Sequence, residues 1–383
     1  MSTRAYSLWQ MVGYMLRLGT IGFGGPVALV GYMYRDLVEQ RRWISDEDYK
    51  EGMALAQLMP GPMAAQLAIY LGYVHYRTLG ATLVGLAFVL PSFVMVIALG
   101  YAYVGFGGLP WMQATFYGVG AAVIGIIAIS AQKLTTKSIG KDKLLWAIWI
   151  VAAAVTIVTE SEVASLFLAA GVIAWLWRTK WRPGANLTAV GLAPSLPLAA
   201  SMLATDLGTL GQIALFFAKA GAFVFGSGLA IVPFLYGGVV HEYKWLTEKQ
   251  FVDAVAVAMI TPGPVVITVG FIGYLVAGLP GACVAALATF LPCYLLTILP
   301  APYFKKYGKL PGLLAFIDGV TAAAVGAISG AVVVLAKRSL IDGPTVLLAV
   351  TVAAILWRWK KLQEPWIILA AATLGLLLYP LQQ

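Results

Sequence analysis

Charge is what this chain has least of. Only 11% of its 383 residues are Asp, Glu, Lys or Arg, fewer than half of the roughly 25% that covers a soluble domain. Length alone would permit two or three soluble domains; that composition excludes them. Cysteine is almost missing too. Cys283 and Cys293 are the only two, ten apart in one apolar segment, a spacing that fits neither a metal cluster nor a disulfide framework. They read as small hydrophobes in a helix. The apolar segments hold no histidine, no cluster of carboxylates and no nucleophile–base pair at useful spacing, which argues against a membrane-embedded enzyme. A cleaved leader is not expected, since Met1 to Ser7 is short and polar and no small-residue cleavage site follows the first apolar run.

What is abundant is hydrocarbon. Hydrophobic residues make up 61%, mean hydropathy is +0.88, and apolar runs near the roughly 20 residues needed to cross a bilayer recur from end to end. The chain reads as an all-α polytopic membrane protein, multi-pass in the cell (inner) membrane. Its net charge of +9 sits mostly at the ends of apolar runs, where anionic lipid and orientation account for it without nucleic acid.

The runs come in two copies. Leu58-Met59-Pro60-Gly61-Pro62 returns as Ile260-Thr261-Pro262-Gly263-Pro264, and Trp43-Ile44-Ser45-Asp46 as Trp245-Leu246-Thr247-Glu248. Gly19 through Gly24 returns as Gly221 through Gly226, Arg17 falls on Lys219, and after a one-residue slip Leu90-Pro91 matches Leu291-Pro292. Residues 1–178 form an N-terminal repeat, 179–208 a connector and 209–383 a C-terminal repeat. Two copies each interrupted by Pro and Gly suggest a secondary transporter. Each copy offers six apolar stretches, at roughly 8–34, 52–74, 80–104, 111–132, 144–159 and 162–177 in the first. Basic residues favour opposite orientations for the copies, because inversion puts six of eight second-copy basic residues inside. Six spans per copy have the wrong parity for that, so either one stretch does not span or the connector crosses.

The interruptions carry the candidate site. Two prolines within three positions, Pro60-Gly61-Pro62 and Pro262-Gly263-Pro264, cannot continue a helix. Unpaired backbone is not tolerated against lipid, so each break must face protein or water. Pro62 and Pro264 suit the first position of a new helix, leaving the amides of Met63 and Ala64, and of Val265 and Val266, as orphan donors suited to an anion. A second break lies at Gly22, Gly24 and Gly25, with a looser copy at Gly226 and Ser227. Arg17 and Lys219 stand about one turn before these glycines, and a cation at mid-helix costs about 2.5–3.5 kcal/mol on insertion scales, so each needs a cavity, partner or ligand. Snorkelling to the interface is the bland alternative. Gln57 and Thr261, with Gln66, Thr20 and Thr268, are near enough to donate to ligand oxygens. Asp318 is the candidate proton carrier, or else the partner of a lysine near the membrane face. Trp43 and Trp245 read as interface anchors, with Ser45 and Thr247 capping the helices that follow.

The Phe23-Gly24-Gly25-Pro26 turn and the run from Trp43-Ile44 through Ala56-Gln57-Leu58-Met59-Pro60-Gly61-Pro62 resemble the signature of the chromate ion transporter family, in its long two-domain form. The second copy resembles it again through Phe225-Gly226-Ser227-Gly228, Trp245-Leu246 and Thr261-Pro262-Gly263-Pro264, departing at Gly228 and Met259, so the halves are not expected to contribute identically. The resemblance implies oppositely oriented halves, export of chromate from the cytoplasm and chromate resistance, with sulfate as a look-alike. No cofactor is expected, and a homodimer is only a general expectation for membrane proteins of this kind.

Overall fold

The computed structural model describes residues 6–22, 25–106, 110–159, 164–179, 208–223, 231–307, 310–340, 342–359 and 364–379, and every regular element among them is helical. Helix α1 (Leu8–Ile21) opens on a capping box between Ser7 and Gln10. After the glycine turn, α2 (Gly25–Met33) runs on through a π-helical stretch, Tyr34–Gln40. It does not continue across the membrane. Tyr14 Oη donates to the Tyr32 carbonyl at 3.3 Å and to Asp36 at 3.2 Å, and the Tyr6 ring stacks on Trp43 with centroids 5.2 Å apart. The start of α1 and the end of α2 therefore share a face of the bundle, and the pair is a hairpin.

The second pair repeats this. α3 (Asp46–Leu58), capped by Ser45 at 3.0 Å from the Asp48 amide, leads to Pro60-Gly61-Pro62 and then to α4 (Met63–Phe106). Gly52 lies against Tyr70. The returning arm ends where the first hairpin began, with Tyr76 Oη donating to the Tyr6 carbonyl at 2.6 Å. Arg77, at φ 53° and ψ −146°, reverses α4 into a second arm that runs back past the first, bringing Gly80 against Gly72. That second arm and α5 (Pro110–Ile139) are long and apolar enough to span; α6 (Lys143–Thr159) and α7 (Ala164–Thr179) are shorter apolar helices. Stretches 8–34 and 52–74 are thus hairpins, where the sequence left open which stretch does not span. A hairpin hides the broken backbone of its tip inside protein, which a spanning helix in lipid could not do.

The second half follows suit. α8 (Thr209–Phe223) pairs with α9 (Ile231–Tyr236) and its π-helical extension Gly237–Glu242. α10 (Glu248–Ile260), capped by Thr247 in a box with Gln250, precedes a 3-10 turn, Val265–Ile267, and α11 (Thr268–Ile298). α11 reverses at Ala277 and Gly278. Then come α12 (Ala301–Tyr307), α13 (Pro311–Ser339), α14 (Gly343–Arg358) and α15 (Glu364–Leu378).

A pseudo-two-fold relates the halves, visible in contacts that recur at repeat-equivalent positions. Gly19 packs on the Phe88 backbone and Gly221 on Thr289; Gly118 packs on Ala371 and Gly319 on Ala170. The last two of these pairs cross between halves. The α6–α7 hairpin packs on α13, and α14–α15 packs on α5. Equivalent helices run in opposite directions. Thr82 Oγ1 lies 2.6 Å from Tyr294 Oη, while Gly100 meets Tyr274 beside the start of the second arm of α11. The repeats are thus inverted and interlocked. Consequently α7 ends on one face of the bundle and α8 begins on the other; the connector between them lies outside the described residues.

Candidate functional site

The hairpin tips meet at the middle of the bundle. Gly263 donates its amide to the Gly22 carbonyl at 3.0 Å, joining the second half's Pro-Gly-Pro tip to the first half's glycine tip. Ser92, halfway along the second arm of α4, sits between them with its Oγ 3.4 Å from the Gly19 carbonyl and its side chain against Gly263. Cys293 occupies the equivalent place against Gly61. Gly61 and Gly263 adopt φ of 143° and 97°, a region L side chains avoid. Gln66 braces the first tip by donating Nε2 to the Pro60 carbonyl at 2.7 Å, and its buried Oε1 has no partner. Helix α4 begins directly at Met63, and Met63 and Ala64 are buried in its first turn beside the break. In the second half the first turn is tighter: Ile267 donates to the Pro264 carbonyl, leaving Val265 and Val266 at the tip.

Arg17 is exposed on α1 and lines a cleft of about 400 Å³. The cleft runs between α1 and the α2 extension down to Ile21 and the buried Gly22, and Tyr14, Arg35, Asp36 and Arg41 form much of its wall. Arg35 pairs with Asp36 at 2.9 Å. Arg41 lies 5.3 Å from the Tyr14 ring centroid and 4.6 Å from that of Trp43, at the mouth. Three guanidinium groups against one carboxylate give this cleft a positive field that leads from the membrane surface to the tips.

Lys219 is half-buried on α8, at the position equivalent to Arg17. Because the repeats are inverted, Arg17 approaches the tips from one face and Lys219 from the other. Gln57 is exposed at the end of α3, whereas Thr261 is buried and its hydroxyl donates to the Val257 carbonyl at 2.7 Å. Thr20 likewise donates within its own helix, to Leu16. Gly25 begins α2, while Gly24, Gly226 and Ser227 lie outside the described residues.

Asp318 belongs elsewhere. It accepts from Arg178 at 2.5 Å, and the same guanidinium holds Asp142 at 2.5 Å. The equivalent positions in the other half repeat this clasp without a guanidinium, with Tyr117 donating to Asp342 at 2.7 Å and packing on Tyr379. Two versions of one clasp at the ends of α5 and α13 describe a structural joint, with Asp318 paired to an arginine where a lysine was the expected alternative partner. Arg178 and the Leu145 and Leu144 amides hold the Asp142 carboxyl below its ordinary range.

Arg35 and Arg41 are cleft residues that the sequence analysis did not single out. Their role depends on the α2 extension folding back beside α1.

Two inverted halves whose broken hairpins meet at the middle of the bundle, built on helices long and apolar enough to cross a bilayer, define a multi-pass membrane protein. Residues 9–175 and 211–376 each match the profile of the chromate transporter family, and the chain belongs to that family. It is 73% identical to the chromate transport protein of Cupriavidus metallidurans, over 98% of this chain and 94% of that one. It is 62% identical to a probable chromate transport protein of Synechococcus elongatus, over 98% and 96%. Identity to the Pseudomonas aeruginosa chromate transport protein is 32%, over 97% and 93%. No solved structure matches the chain.

Proposed function

We propose that the protein exports chromate from the cytoplasm by alternating access and thereby confers chromate resistance. The observation that carries this reading is the cleft of Arg17, Arg35 and Arg41 ending at the hairpin tips. Chromate is a tetrahedral dianion. It suits a guanidinium beside helix-start amides, which supply charge and directed donors without a metal. Full-length identity to proteins named as chromate transporters supports the substrate.

Charge supports the direction. The face on which the cleft opens also carries Arg42, Lys50, Arg77, Lys143, Arg178 and Arg358, against Lys244, Lys249 and Lys337 on the other, so it is the cytoplasmic one by the positive-inside rule. Chromate then loads at Arg17 and is released past Lys219 after the tips rearrange. An inside-negative potential favours that movement by about 4.6 kcal/mol per 100 mV for a dianion, twice the value for one charge. Because the halves interlock, the bodies that rock are not the two sequence repeats. The hairpin layer moving against the α5–α7 and α13–α15 scaffold is the alternative the contacts leave.

The test is uptake of labelled chromate into inverted vesicles, with Arg17→Ala and Lys219→Ala at matched abundance. Uptake falling at least about tenfold in Arg17→Ala, as expected for loss of a charge-assisted contact, supports the site; unchanged uptake rejects it. Sulfate has the same charge and similar geometry, so it belongs in the assay as a competitor. Sulfate suppressing uptake at equal concentration would make the protein a broader oxyanion transporter.

A further inference from the structure

The two faces of the bundle are not equally closed. On the cleft face, Tyr14, Tyr32, Asp36 and Arg41 line open space. Their equivalents on the opposite face are Phe216, Phe234, Gly238 and Tyr243, and these are packed shut. Phe216 stacks on Phe234 at 5.3 Å, and Tyr243 stacks on Trp245 at 4.4 Å. Gly238 stands where Asp36 does, and the Phe216 ring fills the room a side chain there would need.

Beside this plug lies a bond between the halves. Tyr103, near the far end of the second arm of α4, donates its hydroxyl to Asp253 of α10 at 2.7 Å, and Asp253 is 3% exposed. The Tyr103 ring also meets Phe271 and Phe116, each at 5.6 Å. On the cleft face the equivalent pair is Phe304 and Glu51, and Phe304 has no hydroxyl to donate. Glu51 is hydrogen-bonded instead by Tyr70 of its own half, so among the described residues a tyrosine reaches this carboxylate from the other half on the shut face.

We propose that Tyr103 and Asp253 form the latch that holds the pathway closed on the face opposite the cleft, a positioning pair for transport rather than a binding site. A buried carboxylate satisfied by a tyrosine from the other half makes opening depend on parting α4 from α10, since separation leaves the carboxylate without that donor. The aromatic plug then parts along the same seam. This rests on the alternating-access reading above.

The test uses the full-length protein in detergent, with Cys283→Ala and Cys293→Ser as background. Single cysteines are placed in the cleft (Ile21→Cys) and near the opposite tip (Ala222→Cys), and maleimide modification rates are measured without chromate. Tyr103→Phe and Asp253→Ala should each raise the rate at Ala222→Cys about tenfold, the population shift expected for one lost hydrogen bond, with the rate at Ile21→Cys unchanged. Asp253→Asn keeps an acceptor for the tyrosine and should stay near the parent. Unchanged rates at Ala222→Cys overturn the latch, as does an equal rise at both cysteines, which would mean general loosening. Chromate flux in proteoliposomes of the parent is read separately. Absent flux with altered labelling removes the transport reading and leaves the latch; normal flux with unaltered labelling removes the latch alone.

Discussion

Gly263 has almost no room around it. Its φ of 97° already disfavours any side chain, and a β-carbon there would run into Ser92 Oγ. Gly263→Ala should lower stability by about 1–3 kcal/mol for backbone strain, read as a fall in thermal midpoint in detergent. Adding Ser92→Gly should recover only the steric part, because the backbone conformation is unrelieved. The clasp at Arg178 makes a different prediction. A carboxyl held below its ordinary value contributes stability that is full above the unfolded pKa of about 3.9 and is lost as pH falls through the folded value. Stability should therefore be insensitive to Asp142 above about pH 5 and decline below about pH 4. Asp142→Asn should flatten that acid limb, as followed by thermal unfolding across pH. Asp318→Asn should weaken the same joint yet leave the response of chromate uptake to a pH gradient unaltered; an altered response would return Asp318 to the transport cycle.

At the scale of elements, the first hairpin turns a linker into a vestibule. Arg35 and Arg41 read as surface charges in the sequence, and only the return of α2 beside α1 puts them over the path to Arg17. They act at a distance, so their effect belongs on capture of the anion and not on the rearrangement that follows. Arg41→Ala should raise the KM for chromate about threefold to tenfold at low ionic strength with little change in kcat, and the difference should shrink toward 0.5 M salt (roughly a 4 Å screening length). Equal loss of kcat would place Arg41 in the rearrangement itself. The breaks were legible because two prolines flanking a glycine admit no regular helix. That the chain returns after each break, instead of crossing, was not. A twenty-residue apolar run has the same composition whether it spans or folds back on itself, and the reversal at Arg77 carries no proline at all, while that at Gly278 has only Pro280 beside it.

For the whole molecule, interlocking is the property with the largest consequence. The α6–α7 hairpin finds its packing surface on α13, and α14–α15 finds its own on α5, so neither repeat buries its helices alone. Residues 1–178 expressed without the remainder should be degraded, and co-expression with 179–383 should restore both pieces as one complex after purification through a single tag. Independent accumulation of the first piece would contradict the exchanged packing. The same arrangement makes the molecule's asymmetry informative. Symmetric positions hold Tyr14, Tyr32, Asp36 and Arg41 on one face and Phe216, Phe234, Gly238 and Tyr243 on the other, and that divergence in side chains, on one shared backbone plan, leaves one face open while the other is packed.

By itself the sequence determined the membrane class, the duplication and the places where helices break, because hydropathy, repetition and the geometry of proline act locally and leave their marks on neighbouring residues. Inversion was legible in outline, through the distribution of basic residues. Tertiary structure alone decided that the broken segments are hairpins, that Arg35 and Arg41 join Arg17 while Asp318 does not, and that Tyr103 reaches Asp253. Those are contacts between residues far apart along the chain, set by how helices of nearly uniform apolarity pack, and nothing in such a composition distinguishes one partner from another.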